Sequence, residues 1–309
     1  MNFSSARAVL PALIVLSLAA LAEAGVISSA TGPIRVNGQE VVLQPGQTLE
    51  LKAGDRVDTG ASVAVFQSAS GDRVTLEKGT KARADGLTDG VDYLFVESGS
   101  AYGTIGDKTS FGGTAGWATA PEGQTAKAFL DVPRDRPGSE GSFRAVEGGV
   151  WVRYNSYRVW LPQRNSITLA VDPARPDVFA FRTSQQNDAD VDVVRTVAGG
   201  DIFAHVPKAT VGRMMSAEPN KTRIENDITS LKTGKIRLET RYPGRPEQNA
   251  ALGPGTYALI DNATGAIEVS FTPVEFVILE RAISLTNEFA TLSQSNFSDL
   301  GVGSGPGRR

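Results

Sequence analysis

Glycines punctuate residues 32–99 in a way that leaves few choices of fold. Gly38, Gly46, Gly54, Gly60, Gly71 and Gly79 separate segments only a few residues long, and within these apolar and polar side chains alternate. Val63, Val65 and Phe66 sit beside polar neighbours, Val74 and Leu76 flank Thr75, and Leu94 to Gly99 supplies a further segment. A period of two is that of strands with one buried face, and glycine at the boundaries allows tight reversals at the least steric cost. The pattern predicts an all-β chain of short strands and tight turns. The 33 glycines and 16 prolines among 309 residues extend that expectation beyond this region.

The N-terminus predicts the compartment. Ala8 to Ala22 is apolar, Arg7 precedes it and Ala22-Glu23-Ala24 ends it, which reads as a signal peptide over residues 1–24 cleaved before Gly25. The run is short for a membrane span and contains Pro11, so an uncleaved anchor is the lesser alternative. No later segment approaches about 18 consecutive apolar residues, so the mature chain is not expected to span a membrane. A periplasmic or secreted protein follows. The chain has no cysteine, which removes disulfides, thiolate metal sites and cysteine nucleophiles, and leaves burial to hold the fold. A formal net charge of −3 argues against nucleic acid as a partner.

Four segments carry a family likeness. They are Gly32-Pro33-Ile34-Arg35-Val36-Asn37-Gly38, Pro45 to Leu51, Ala53 to Phe66 with Gly54-Asp55-Arg56-Val57 at its head, and Ser70 to Leu76. In this order they resemble the extracytoplasmic domain of the FecR family, named for the ferric-citrate sensor-regulator. The resemblance covers about a quarter of the chain and implies an exported β-rich domain over residues 25–110 that acts by contact. The cytoplasmic and membrane-spanning parts of such regulators have no counterpart in this sequence, and of the strand motif that often follows the domain only Gly112-Gly113-Thr114 is similar.

Beyond that domain the density of glycine and proline predicts an irregular connection over residues 111–145. Gly106-Asp107-Lys108-Thr109 lacks the glycine spacing of a phosphate loop. A second β-rich region is expected over residues 146–293, with strands at Ile167 to Val171, Val178 to Arg182 and Val191 to Val197. Thr222 to Lys232 is ambiguous, since Ile224, Ile228 and Leu231 fit a helix that Gly234 would stop. Two short stretches, from Thr233 and from Pro254, echo those from Thr31 and from Pro45, as a worn internal repeat would. Thr272-Pro273-Val274-Glu275 reads as a helix start, followed by an apolar stripe of Ile278, Ala282, Leu285, Phe289 and Leu292. This amphipathic helix could dock on the chain's own sheet or on a partner, with Ile278, Leu285, Phe289 and Leu292 as the contacts. Residues 294–309 read as a disordered tail.

Val150 to Leu161 is nearly palindromic about Asn155-Ser156. A two-residue loop there would set Trp151 opposite Trp160 and Arg153 opposite Arg158, with Val150, Val152, Tyr154, Tyr157, Val159 and Leu161 on the other face. Directly opposed like charges cost up to about 1 kcal/mol, which stacking of guanidinium on tryptophan, or an anionic partner, would offset. Trp151, Arg153, Arg158 and Trp160 are therefore candidate ligand-binding residues, unless another layer covers them.

Catalytic chemistry is thinly supplied. His205 is the only histidine, no G-x-S-x-G elbow occurs, and His205 lies in a strand-like segment. Two aspartate groups, Asp85/Asp89/Asp92 and Asp188/Asp190/Asp192, have ligand chemistry suited to calcium but match no known loop spacing. The expectation is a non-catalytic module without metal or cofactor, binding an envelope protein, or alternatively an acidic polysaccharide through the tryptophan–arginine face.

Overall fold

The computed structural model describes residues 23–271, apart from 89–90, 136–138, 173 and 231–233. Its first nine strands are β1 (Glu23–Ala30), β2 (Ile34–Val36), β3 (Gln39–Val41), β4 (Leu49–Lys52), β5 (Arg56–Asp58), β6 (Ala64–Gln67), β7 (Arg73–Leu76), β8 (Lys81–Thr88) and β9 (Val91–Ile105). They divide between two sheets. Sheet I runs β4-β1-β6-β7-β9 and sheet II runs β3-β2-β5-β8-β9. The long strand β9 belongs to both: it pairs with β8 up to Ser98 and with β7 from Ala101, so the two sheets are joined where it passes from one to the other.

The glycine- and proline-rich stretch that the sequence reads as a connection is instead four strands: β10 (Thr109–Gly113), β11 (Gly116–Thr119), β12 (Ala126–Val132) and β13 (Glu140–Glu147). The physical reason is close approach rather than looseness. A β-carbon on Gly112 would collide with the backbone of Gly116 and Trp117 on the neighbouring strand, so glycine is what lets β10 and β11 pair. The strands of this stretch add to both sheets, β10 beside the first part of β9 and β12 beside its second part.

From β12 onward the chain repeats one move. The hairpins β12–β13, β16 (Asn165–Asp172)–β17 (Arg175–Gln185), β20 (Val211–Ala217)–β21 (Lys221–Asn226) and β24 (Thr256–Asp261)–β25 (Ile267–Phe271) add to sheet I. Between them, β14 (Val150–Tyr154)–β15 (Tyr157–Leu161), β18 (Val191–Val197)–β19 (Gly200–Val206) and β22 (Ile236–Arg241)–β23 (Gln248–Leu252) add to sheet II. Each hairpin pairs with the preceding one of its own sheet. The three strands expected between Ile167 and Val197 are β16, β17 and β18. The ambiguous stretch after Lys221 is strand β21, followed by a single 3-10 turn over Ile228–Ser230. The two halves of the sequence echo fall at like places: Ile34 and Ile236 open the last hairpin of sheet II at either end, and the chain then passes to sheet I at Leu49 and at Thr256.

One apolar core fills the space between the sheets, drawing on Leu130, Phe143, Phe179, Phe181 and Ile224 from sheet I and Phe111, Val152, Val159, Ile202 and Leu238 from sheet II. Contacts across it are specific. Tyr157 of β15 stacks on Phe179 of β17 at 4.6 Å, and its hydroxyl donates to the carbonyls of Asp177 at 2.7 Å and Met214 at 3.3 Å. Burying Phe179 contributes about 1.5–3 kcal/mol. Arg195 of β18 also points inward; its Nη1 and Nη2 donate to the hydroxyls of Thr222 and Ser216 in sheet I.

The expected leader lies outside the described residues, except that Glu23 and Ala24 open β1. The expected C-terminal helix, with Ile278, Leu285, Phe289 and Leu292, and the tail lie wholly outside them. No helix among the described residues is long and apolar enough to cross a membrane.

Candidate binding face

The hairpin β14–β15 adopts the register that its palindrome predicts: Val150 faces Leu161, Trp151 Trp160, Val152 Val159, Arg153 Arg158 and Tyr154 Tyr157. Asn155 takes a positive φ of 49° in the two-residue loop, as such a turn requires. Val150, Val152, Tyr157, Val159 and Leu161 are buried in the core, and Tyr154 is half-buried against Phe179. Trp151, Arg153, Arg158 and Trp160 therefore lie on the outer face of sheet II. The indoles meet at 5.1 Å, and the Arg158 guanidinium stands 5.9 Å from the Trp151 ring. The Trp160 ring lies over Gly149, where any β-carbon would strike it.

Sheet register extends this face well beyond the hairpin. One row across the strands reads Arg56, Arg83, Phe95, Gly112, Trp117, Arg153, Arg158, Val194, Phe203 and Glu239. Beside it Tyr93 pairs with Ser110, and a further row reads Thr119, Trp151, Trp160, Asp192, His205 and Arg237. All three tryptophans of the chain share this surface. Trp117 meets Tyr93 edge-on at 5.1 Å and Phe95 at 5.7 Å, and Arg83 lies 4.8 Å above Phe95. Sequence reasoning missed Tyr93, Phe95, Trp117 and Arg83. The signal for Trp117 was the alternation of Gly116-Trp117-Ala118-Thr119, which the surrounding glycines obscured.

The charges on this face differ in how they are answered. Arg83 is held by Asp85, Arg56 by Glu97 at 3.2 Å, and Arg158 by Asp201 at 3.6 Å. Arg153 is exposed and flanked by Trp117 and Arg158, and its side chain makes no hydrogen bond or ion pair to any described residue. Further along, His205 Nδ1 lies 2.7 Å from Asp192 and Nε2 lies 3.6 Å from Glu239. Arg241 sits 4.5 Å over Phe203 and pairs with Glu239, while Arg237 pairs with Asp190 at 2.7 Å. Asp188, Asp190 and Asp192 are thus held apart by Lys208, Arg237 and His205. In the other group Asp85 holds Arg83, and Asp92 accepts from the Ala69 amide at 2.7 Å. Asp89 lies outside the described residues. Among the described residues no group of three or more histidine or carboxylate side chains is placed to hold a metal ion.

Beneath the face, burial pushes the Tyr157 hydroxyl up to about 12. Comparison of the chain with protein-family models, curated proteins and solved structures finds no match in any of the three.

Proposed function

We propose that the protein is an exported, non-catalytic binding module of the cell envelope, and that the outer face of sheet II holds a carboxylate-bearing polysaccharide. The observation that carries this reading is Arg153, whose side chain has no partner among the described residues, on a face that holds the Tyr93–Phe95–Trp117 cluster and the Trp151–Trp160 pair. Indole and phenyl rings offer flat apolar platforms to the faces of sugar rings. A guanidinium offers forked donors to a carboxylate. Opposed arginines cost stability in a sheet, and an anionic ligand lying across Arg153 and Arg158 would recover it. The resemblance of residues 32–99 to FecR extracytoplasmic domains supports a place outside the cytoplasm and action by contact.

The test is affinity electrophoresis through gels carrying polygalacturonate or a neutral glucan. Retardation by the acidic polymer that weakens as salt rises, and that a Trp151→Ala/Trp160→Ala variant reduces, is expected. Equal retardation by both polymers, or none, would sink the proposal.

A second reading, an adaptor for an envelope protein, is favoured by the edge strand β25. It pairs only with β24 among the described residues, and it carries Phe271 at 82% exposure and Val269 at 46%. An open edge with apolar side chains suits strand addition by a partner. Binding of that kind would tolerate salt.

A further inference from the structure

The outer face of sheet I carries a separate concavity, where β7, β9, β12 and β13 lie side by side. Two register rows cross it: Arg73, Thr104, Lys127, Glu147, and Thr75, Tyr102, Phe129, Arg144. On β13 the pairing jumps from Glu147 to Ala145, so Val146 is an extra residue that bulges the strand at the groove's margin. The result is a cavity of about 260 Å³ with Tyr102 and Phe129 adjacent in it and Arg73, Thr104, Lys127 and Glu147 around them. That volume is below the range of sites for drug-sized ligands, about 300–1,000 Å³, and suits one or two rings.

Its chemistry is specific. Tyr102 and Phe129 are half-buried and present ring surface to the groove. Arg73 is exposed and its side chain has no hydrogen bond or ion pair to any described residue, whereas Lys127 is held by Glu147 at 2.8 Å. Apolar ring surface, a guanidinium unpaired among the described residues, a hydroxyl and a carboxylate–ammonium pair together match a ring that is apolar on one face, hydroxylated at its rim and carboxylated at one position. We propose that this groove binds a single hexuronic-acid unit. The sugar face lies on Phe129 and Tyr102, its carboxylate on Arg73, and its hydroxyls on Thr104 and Glu147. The groove is on the opposite sheet from the tryptophans and uses none of their residues, so it stands or falls independently of the sheet II reading.

The test is titration of the full chain with a trigalacturonate and with a neutral trisaccharide of the same length, followed by calorimetry. The unaltered protein is expected to bind the acidic sugar only. Arg73→Gln and Phe129→Ala should each weaken binding about tenfold, and Trp151→Ala/Trp160→Ala should leave it in place. Arg73 is on the surface, so Arg73→Gln keeps the test valid even if Phe129→Ala does not fold. Loss of trisaccharide binding in the double tryptophan variant alone would overturn the groove proposal while favouring the sheet II face. Equal affinity for the neutral sugar, absence of binding, or binding indifferent to Arg73→Gln would overturn it as well.

Discussion

The outer face of sheet II uses the same device twice, with opposite outcomes. Between β8 and β15 it sets arginines against Phe95, Trp117 and Trp151; Asp85 and Asp201 answer Arg83 and Arg158, but Arg153 beside Trp117 is left without a side-chain partner among the described residues. Between β18 and β22 it again lays an arginine on an aromatic ring, Arg241 on Phe203, but carboxylates intervene: Glu239 takes Arg241, Asp190 takes Arg237 and Asp192 takes His205. The second half is internally neutralised and works as sheet glue. The first half keeps a cation and three indoles in hand. Aromatic–arginine stacking alone therefore does not mark a site; the supply of neighbouring carboxylates decides.

The two halves also differ underneath. Tyr157 lies below the first half and donates to two carbonyls of sheet I, whereas the buried hydroxyl of Tyr242, just after β22, has no hydrogen-bond partner among the described residues.

The contrast can be attacked in order of expected effect. Phe179→Ala removes the ring on which Tyr157 stacks, and should cost about 3–5 kcal/mol in denaturant unfolding. If it costs no more than a surface change, the first half is not held from below. Next, Trp151→Ala/Trp160→Ala should weaken binding to an acidic polysaccharide by about tenfold or more, equivalent to 1.4 kcal/mol per decade. Phe203→Ala should change that binding by less than about twofold, because rim contacts in a neutralised region contribute little. Equal losses in both halves would erase the distinction.

Tyr157→Phe should lower stability by about 1 kcal/mol, the worth of an ordinary buried hydrogen bond, while Tyr242→Phe should be neutral or stabilising because its hydroxyl bonds to none of the described residues. Tyr157 also predicts an alkaline limit. Its folded-state value of about 12 lies above the ordinary 10, so the neutral phenol's contribution is intact below pH 10 and is lost as pH rises through 12. Thermal melts of Tyr157→Phe between pH 10 and 12 should fall less steeply than those of the unaltered chain. The smallest effect is expected from Glu239→Gln, which releases Arg241: retardation by the acidic polymer should rise by about twofold, as for an exposed ion pair, and should vanish in high salt.

Much of this was legible in the residues. The alternation around Val63 to Leu76 and the three strands between Ile167 and Val197 follow from a period of two, which a single buried face imposes locally. Glycine density misled at residues 111–145, because the same residue serves a loose loop and a strand that must approach its neighbour closely, and composition does not separate the two. His205 reads correctly as a half-buried strand histidine, but its carboxylate neighbours come from β18 and β22, far apart in the chain.

The hairpin at Val150 to Leu161 marks the boundary most clearly. Its sequence alone determined its register and the division of its faces, because a two-residue loop leaves one pairing and alternation then places every side chain. The neighbours of that hairpin were decided only by the tertiary structure. Strand pairing between distant segments is carried by backbone hydrogen bonds that every residue supplies, so nothing local to Arg153 states that Trp117 lies beside it, nor anything local to Arg158 that Asp201 does. Whether an arginine is answered or left free is a property of the assembled sheet.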